Sequence, residues 1–461
     1  MSSAPLALRA FGEVASLSAE TRRAIVDRSS TTDTTVRERT AALIDQVRTR
    51  GDDALFQFAR DFDRTELRAL EVPRADWDSA LAALDPKLRQ SLERAAKNIA
   101  AVHTAFLPTE TVCSPEPGIT VGRRPDPLQR VGIYAPGGRA SYPSSLLMGA
   151  IPARVAGVQE VIVCSPPGPD GKPSPVVLAA AALAQADRVF ALGGAGAIAA
   201  MALGTATVPQ VDRIMGPGNA YVAEAKLQLV NQVAIDSPAG PSELLVLADE
   251  SADASAIARE MLAQAEHDPD AAVIAVLAPS APPAGVRVVS SADAPPPDGV
   301  RVRELAAAVR DELARLTAAA PRADVVRQAL RERGAIVTTD SLDEAIVFAN
   351  AWAAEHLLLI VRDDLRDATL AALRSAGTIF VGAASSVAYG DYMTGANHVL
   401  PTAGAGRSYS GLSTLDFVRW TTWQEVTPTA AASLSEDVGR FADAEGLPAH
   451  AAAARAWGSA S

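Results

Sequence analysis

Cysteine is almost absent from this chain of 461 residues: Cys113 and Cys164 are the only two, far apart and without Cys-x-x-Cys spacing. Neither a disulfide framework nor a thiolate metal site can be built from them within the chain, so any bound metal has to be held through nitrogen and oxygen. Net positive charge is missing as well. The 42 Lys and Arg are outnumbered by 54 Asp and Glu, giving -12, and no basic run is present that would neutralise a phosphate backbone. Nucleic acid is therefore not an expected partner. No stretch approaches the ~18 uncharged apolar residues of a membrane span, and residues 1–20 lack a charged head followed by an unbroken apolar core. The expectation is a soluble, cytoplasmic protein without membrane contact.

What is present is apolar bulk. With 48% hydrophobic residues the chain exceeds what one core holds, and several domains are expected. The first ~110 residues read as helical, with apolar residues at helical spacing over 36–50 and Ala/Leu-rich segments over 76–106. From residue 130 short apolar runs alternate with Ala-rich helical stretches. Strands are predicted over 130–135, 160–165, 188–192 and 244–247, helices over 144–156, 175–186, 197–203 and 220–229. This alternation implies a parallel sheet of Rossmann-like type. A second set follows: helix 254–267, strands 272–277 and 335–338, helix 342–353, strands 357–361 and 378–381. Between them 278–299 is rich in Pro, Ala and Gly and reads as a surface insertion. The tail beyond residue 395 turns polar and ends in an Ala-rich helix over 430–457.

Five histidines focus the search for chemistry. His103 has no acidic or histidine neighbour three or four residues away and reads as structural. Gln264 and His267 are three apart near a helix end, so both side chains share a face and could grip one ion; taken alone, a solvent-facing helix end accounts for them better. Glu355 and His356 are adjacent where a helix gives way to an apolar strand, and both reach one pocket only if the backbone bends. A carboxylate beside an imidazole suits general acid/base work near neutral pH, although a strand boundary with solvated charges has the same spacing. Asp391 and His398 fall in a Gly-bracketed loop after a strand, where α/β sheets place ligand contacts; an Asx-turn and an ordinary loop histidine remain open. Glu445 and His450 flank a Gly/Pro break before the last helical stretch and mean little alone.

Glycines hint at a cofactor. Pro136-Gly137-Gly138, Gly193-Gly194-Ala195-Gly196 and Gly216-Pro217-Gly218-Asn219 are turns whose amides can approach a phosphate, yet none matches Gly-x-Gly-x-x-Gly with a correctly placed acidic residue.

In order and wording these pieces resemble the histidinol dehydrogenase family over nearly the whole chain, from 51–55 (GDDAL) to 445–450. The segments that carry the resemblance are 130–138 (RVGIYAPGG), 142–145 (YPSS), 216–221 (GPGNAY), 239–243 (AGPSE), 264–269 (QAEHDP), 355–357 (EHL), 390–392 (GDY), 397–402 (NHVLPT) and 410–413 (SGLS). The resemblance implies two Rossmann-like parallel-sheet domains with small helical N- and C-terminal segments, in an intertwined homodimer with shared active sites. It implies one zinc per subunit on Gln264, His267, Asp391 and His450, the last lent by the partner, with the metal orienting substrate. By the same resemblance Glu355 and His356 are catalytic, and Ser242, Gln264, His267, His356, Asp391, His398, Glu445 and His450 contact substrate. The resemblance also implies that Tyr134 and Asn219 contact NAD.

The implied reaction is the two-step, four-electron oxidation of L-histidinol through the aldehyde to L-histidine, the end of histidine biosynthesis. The implied segmentation is an arm over 1–24, an α/β domain over 25–128 and 246–392 carrying metal and catalytic residues, an NAD-binding domain over 129–245, and an exchanged tail over 393–461. Three departures stand out: Gly196 replaces a glutamine that touches NAD, Ala354 replaces a proline before the Glu355–His356 pair, and the insertion over 278–299 is additional. Competing readings are a related zinc and NAD alcohol dehydrogenase acting on another small diol such as a sulfonated propanediol, a catalytically silent binding protein, and a metal-dependent hydrolase.

Overall fold

Runs such as 161–163 (VIV), 244–247 (LLVL) and 273–277 (VIAVL) are apolar at every position, which suits strands covered on both faces. In the computed structural model, which describes residues 6–28, 34–137, 141–237, 240–280 and 298–458, these runs become the inner strands of two parallel sheets. The five-stranded sheet runs Arg188–Ala191, Glu160–Ser165, Arg130–Tyr134, Arg213–Met215, Ala234–Ile235. The six-stranded sheet runs Ala10–Glu13, Gly334–Thr338, Ala272–Ala278, Glu243–Asp249, His356–Ile360, Thr378–Val381. Leaving aside the edge strand Ala10–Glu13, both sheets wind alike. The first strand in the chain is central, the next two step to one side, and the last two step to the other, the doubly wound order of dinucleotide-binding folds.

Alternation within one central strand divides the interior of the six-stranded half. Leu244, Val246 and Ala248 pack with Met261 and Val309 on one face, while Leu245 and Leu247 pack with Ala349 and Trp352 on the other. The N-terminal helices Thr34–Arg50, Asp52–Asp61, Arg74–Ala83 and Pro86–Ala105 share the core of the five-stranded sheet through Ile44, Leu55, Phe58, Trp77 and Ile99. A small antiparallel sheet orders Thr111–Cys113, Ile119–Pro127 and Val418–Val426, tying the tail to the middle of the chain.

Some expectations change. The strand predicted over 244–247 belongs not to the first sheet but to the centre of the second. The tail helix predicted over 430–457 is two helices, Pro428–Ala444 and Pro448–Arg455, broken at Gly446, whose φ is +73°. A helix, Asp298–Ala319, begins inside the expected insertion. Pro282, Pro283, Pro295, Pro296 and Pro297 of that insertion lie outside the described residues, as do Gly138, Ala239 and the ends of the expected arm and tail. Among the described residues, no helix is long and apolar enough to cross a membrane.

Candidate active site

The helix Leu342–Trp352 starts on the Ser341 side chain, which accepts the Glu344 N–H, and stops at Ala353 in the left-handed conformation, φ 52° and ψ 66°. That conformation costs an alanine roughly 1–2 kcal/mol and supplies the bend that adjacency of Glu355 and His356 requires. Glu355 therefore precedes the strand and His356 opens it, both buried. The neighbouring strand presses close: a Cβ at Gly377 would lie 2.6 Å from the Glu355 carbonyl oxygen.

Both side chains are anchored to one residue of the central strand. The Glu243 N–H donates to Glu355 Oε2 at 2.7 Å, and the Glu243 carbonyl lies 3.0 Å from His356 Nδ1. A carbonyl only accepts, so Nδ1 carries a hydrogen and, in the neutral imidazole, Nε2 holds the lone pair. Nε2 has no hydrogen-bond partner among the described residues and stands 3.7 Å from Asp391 Oδ1. Burial alone would depress the imidazole's pKa. Glu355, 3.5 Å from Nδ1, and Asp391 outweigh it and raise it to about 10.

The Glu243 side chain turns the other way. Its carboxylate takes Arg28 Nε at 2.7 Å and Arg28 Nη2 at 3.1 Å, and also the Ala403 N–H at 2.9 Å. Burial raises its pKa against the pull of Arg28. The Arg28 guanidinium lies 3.6 Å over the Trp352 ring and donates to the Trp352 carbonyl, while Trp352 Nε1 donates to the Ile25 carbonyl. The segment before residue 29 is thus stitched beneath the Glu355–His356 pair.

Asp391 lies in the short helix Val387–Tyr392 rather than in a loop, its neighbour Gly390 backed against the Phe380 ring. Burial would raise its carboxyl, but His356, then His398 and His267, hold it below the ordinary carboxylate range. His398 Nδ1 donates to the Asp391 carbonyl at 2.8 Å, which leaves Nε2 to accept the Ser145 hydroxyl at 3.1 Å. Burial lowers the His398 pKa more than Asp391 raises it. Ser145 belongs to the helix Pro143–Val155, packed on the five-stranded sheet, so His398 joins the two halves. Gln264 is buried with its Nε2 unpartnered, His267 is exposed just past the same helix, and Ser242 is half-buried before the central strand.

Glu445 and His450 are exposed on the tail helices. They line a groove of about 440 Å³ with Asp437, Val438, Phe441, Ala442 and Leu447, all of the tail. Within the chain the structure therefore gathers Glu355, His356, Asp391, His398 and His267, and leaves Glu445 and His450 apart.

The zinc centre implied by resemblance is corrected by this geometry. Among the described residues no group of three or more His, Cys, Asp or Glu stands where it could hold a metal ion. Asp391 is engaged electrostatically with His356, and His450 lies in the groove of the tail. The four expected ligands do not form one donor set in this chain.

At the five-stranded sheet, the expected cofactor residues sit at the carboxyl ends of its two middle strands, where the winding reverses. Tyr134 ends the central strand, and its buried hydroxyl oxygen accepts the Gly194 N–H at 3.0 Å; burial, foremost, raises its pKa to about 12. Asn219 is exposed and caps the helix Ala220–Leu229, accepting the Tyr221 and Val222 N–H groups. Gly137 and Gly193 both back onto Pro166, leaving main chain bare around the opening. Bare main chain at the carboxyl ends of the middle strands suits a dinucleotide, with the Gly194, Tyr221 and Val222 N–H groups already taken by Tyr134 and Asn219. Gly196 has a packing reason: a Cβ there would lie 2.8 Å from the Phe58 ring.

Sequence reasoning missed Arg28, and quoted Ser145 and Glu243 without a role. Arg28 lies 215 positions from its partner and no local spacing signals it. Glu243 was detectable as a charge directly before the apolar run 244–248.

Comparison with known proteins agrees in extent with these elements. A family model described as histidinol dehydrogenase matches residues 26–287 and 300–457. A histidinol dehydrogenase of Methanosarcina barkeri is 45% identical over 416 residues, covering 90% of each chain. One from Halobacterium salinarum is 44% identical over 443 residues, covering 96% of this chain and 97% of the relative. The crystal structure of histidinol dehydrogenase from Elizabethkingia anophelis superposes with a TM-score of 0.87 at 30% identity and covers 98% of both chains.

Proposed function

The chain belongs to the histidinol dehydrogenase family, and from that premise we propose that it oxidises L-histidinol through the aldehyde to L-histidine, with two NAD reduced. The observation that carries this reading is the paired anchoring of Glu355 and His356 on the Glu243 main chain, which leaves His356 Nε2 without a partner beside Asp391.

Bound NAD supplies the acceptor for the hydride that leaves the carbinol carbon. His356 Nε2 takes the hydroxyl proton as that hydride departs, and the alcohol becomes an aldehyde. A cationic amino alcohol brings positive charge beside Glu355 and Asp391, the two carboxylates that raise the imidazole, and so frees Nε2 to act as a base. Glu355 then draws a proton from water as its oxygen adds to the aldehyde, and the hydrate gives up the second hydride, for which a second NAD would be the acceptor, and a proton to become the carboxylate. Burial of both groups limits escape and side reaction of the aldehyde. Ser242, Gln264, His267, Asp391 and His398 form the substrate contacts within one chain.

The working form in this proposal is a homodimer. Val438, Phe441 and Leu447 are exposed on the tail helices beside Glu445 and His450, an apolar surface suited to a second copy. Of the tail expected to exchange, over 393–461, His398 and the strand Val418–Val426 are paired within their own chain, so reach of the helices Pro428–Ala444 and Pro448–Arg455 to a second copy would bring Glu445 and His450 to the partner's substrate. The segments 1–24, 25–128 with 246–392, and 129–245 are the expected division, but the helices of 34–105 share a core with 129–245, so limited proteolysis is expected to release 34–105 together with 129–245.

The decisive experiment is stoichiometry: two NADH per histidinol consumed, with histidine as product. One NADH with free aldehyde, or none, would overturn the reading.

A further inference from the structure

We propose that the buried Lys226–Asp236 ion pair is a positioning clasp for the cofactor turn Gly216–Asn219. The proposal rests on the NAD-linked reading above and deepens it with two residues that no motif singled out.

Lys226 and Asp236 are almost wholly buried and pair at 2.6 Å. Each also holds the main chain of one residue. Lys226 Nζ donates to the Gly216 carbonyl at 2.6 Å, and Asp236 Oδ2 accepts the Gly216 N–H at 2.7 Å. Both polar groups of Gly216 are thus committed to one ion pair, whose members come from the helix Ala220–Leu229 and from just past the edge strand Ala234–Ile235.

The turn held in this way has little freedom. Gly216 has φ +113°, and a Cβ there would lie 2.1 Å from the Tyr134 carbonyl oxygen, so its main chain crosses directly over the end of the central strand. Of the two expected cofactor contacts, Tyr134 is the residue crossed and Asn219 follows three residues after Gly216. A buried ion pair is a weak source of net stability beside an apolar pair of the same volume. What it does supply is direction: two charges fix the orientation of both peptide units that flank Gly216, and with them the course of the turn toward Asn219 and the helix N-terminus.

The test is fluorescence titration with NADH on the full chain, alongside steady-state kinetics. Lys226→Met and Asp236→Asn are expected to weaken NADH binding at least about tenfold and to raise KM for NAD in parallel, with KM for the amino alcohol unchanged. Because a single change strands a buried charge, the double variant Lys226→Met with Asp236→Leu serves as the folded control. It is expected to melt near the unaltered chain and still to bind NADH weakly. A purely structural role would instead lower the fraction of binding-competent protein at unchanged Kd. A folded double variant that binds NADH as the unaltered chain does would overturn the clasp alone. Failure of the unaltered chain to bind NADH would overturn the clasp together with the NAD reading.

Discussion

The two parallel sheets are wound in the same order but present their chemistry at opposite ends. In the five-stranded sheet the expected cofactor residues follow the carboxyl ends of the two middle strands, where open doubly wound sheets place ligands. In the six-stranded sheet Glu243 and His356 open the corresponding strands at their amino ends. The other end of that sheet is laced shut. Asp249, fully buried, accepts the Ser251 N–H through Oδ1 and the Arg362 N–H through Oδ2, bridging the strand ends that would otherwise diverge. Winding creates a place where strands part at both ends. Which end does chemistry depends on where side chains leave main chain and charge open, so fold alone does not locate the site.

This contrast can be broken by separating rate from cofactor binding. His356→Ala should lower kcat by about 10²–10⁴-fold while NADH affinity stays within about twofold, because the two lie at different sheets. A loss of NADH affinity as large as the loss of rate would dissolve the division.

Arg28→Met should cost about 3–5 kcal/mol in urea unfolding, since it leaves Glu243 charged and buried beneath the catalytic pair. A cost under about 1 kcal/mol would place that carboxylate in water and remove its role in tying Arg28 beneath the pair.

Acid and alkali should sharpen the comparison with a smaller effect. His103, on a helix packed into the five-stranded half, is buried with both ring nitrogens unpartnered among the described residues, and burial lowers its pKa to about 4. Its folded pKa lies below the unfolded 6.5. Stability is therefore complete above pH 6.5 and is lost as pH falls through about 4, in all about 3 kcal/mol. His356 has the opposite sign: raised to about 10, it stabilises fully below pH 6.5 and ceases to as pH rises through about 10. His103→Leu should flatten the acid limb of melting temperature against pH and leave the alkaline limb unchanged. An unaltered acid limb would show that another group sets it.

Much of this was readable in the residues. Inner strands such as Glu160–Ser165 and Ala272–Ala278 are legible because burial on both faces leaves unbroken apolar runs, 161–164 in the first and the whole of the second. Ala10–Glu13 and Arg213–Met215 are four and three residues long and carry no such signal; only pairing with distant strands defines them. The adjacency of Glu355 and His356 made them visible, and the left-handed Ala353 supplied the bend their use demands. Their anchor was hidden because it is the main chain of Glu243, and peptide groups are the same in every residue. Resemblance named four metal ligands, but a metal centre requires assembly in space, and the described chain does not provide it.

One short connection acquires a mechanical meaning from these contacts. Asp236 holds the cofactor turn and Glu243 holds the catalytic pair, and only seven steps of chain separate them. At the greatest reach of an extended backbone their Cα atoms cannot stand more than about 25 Å apart. That leash caps how far the cofactor turn and the catalytic pair can be drawn apart, whatever the halves on either side of it do.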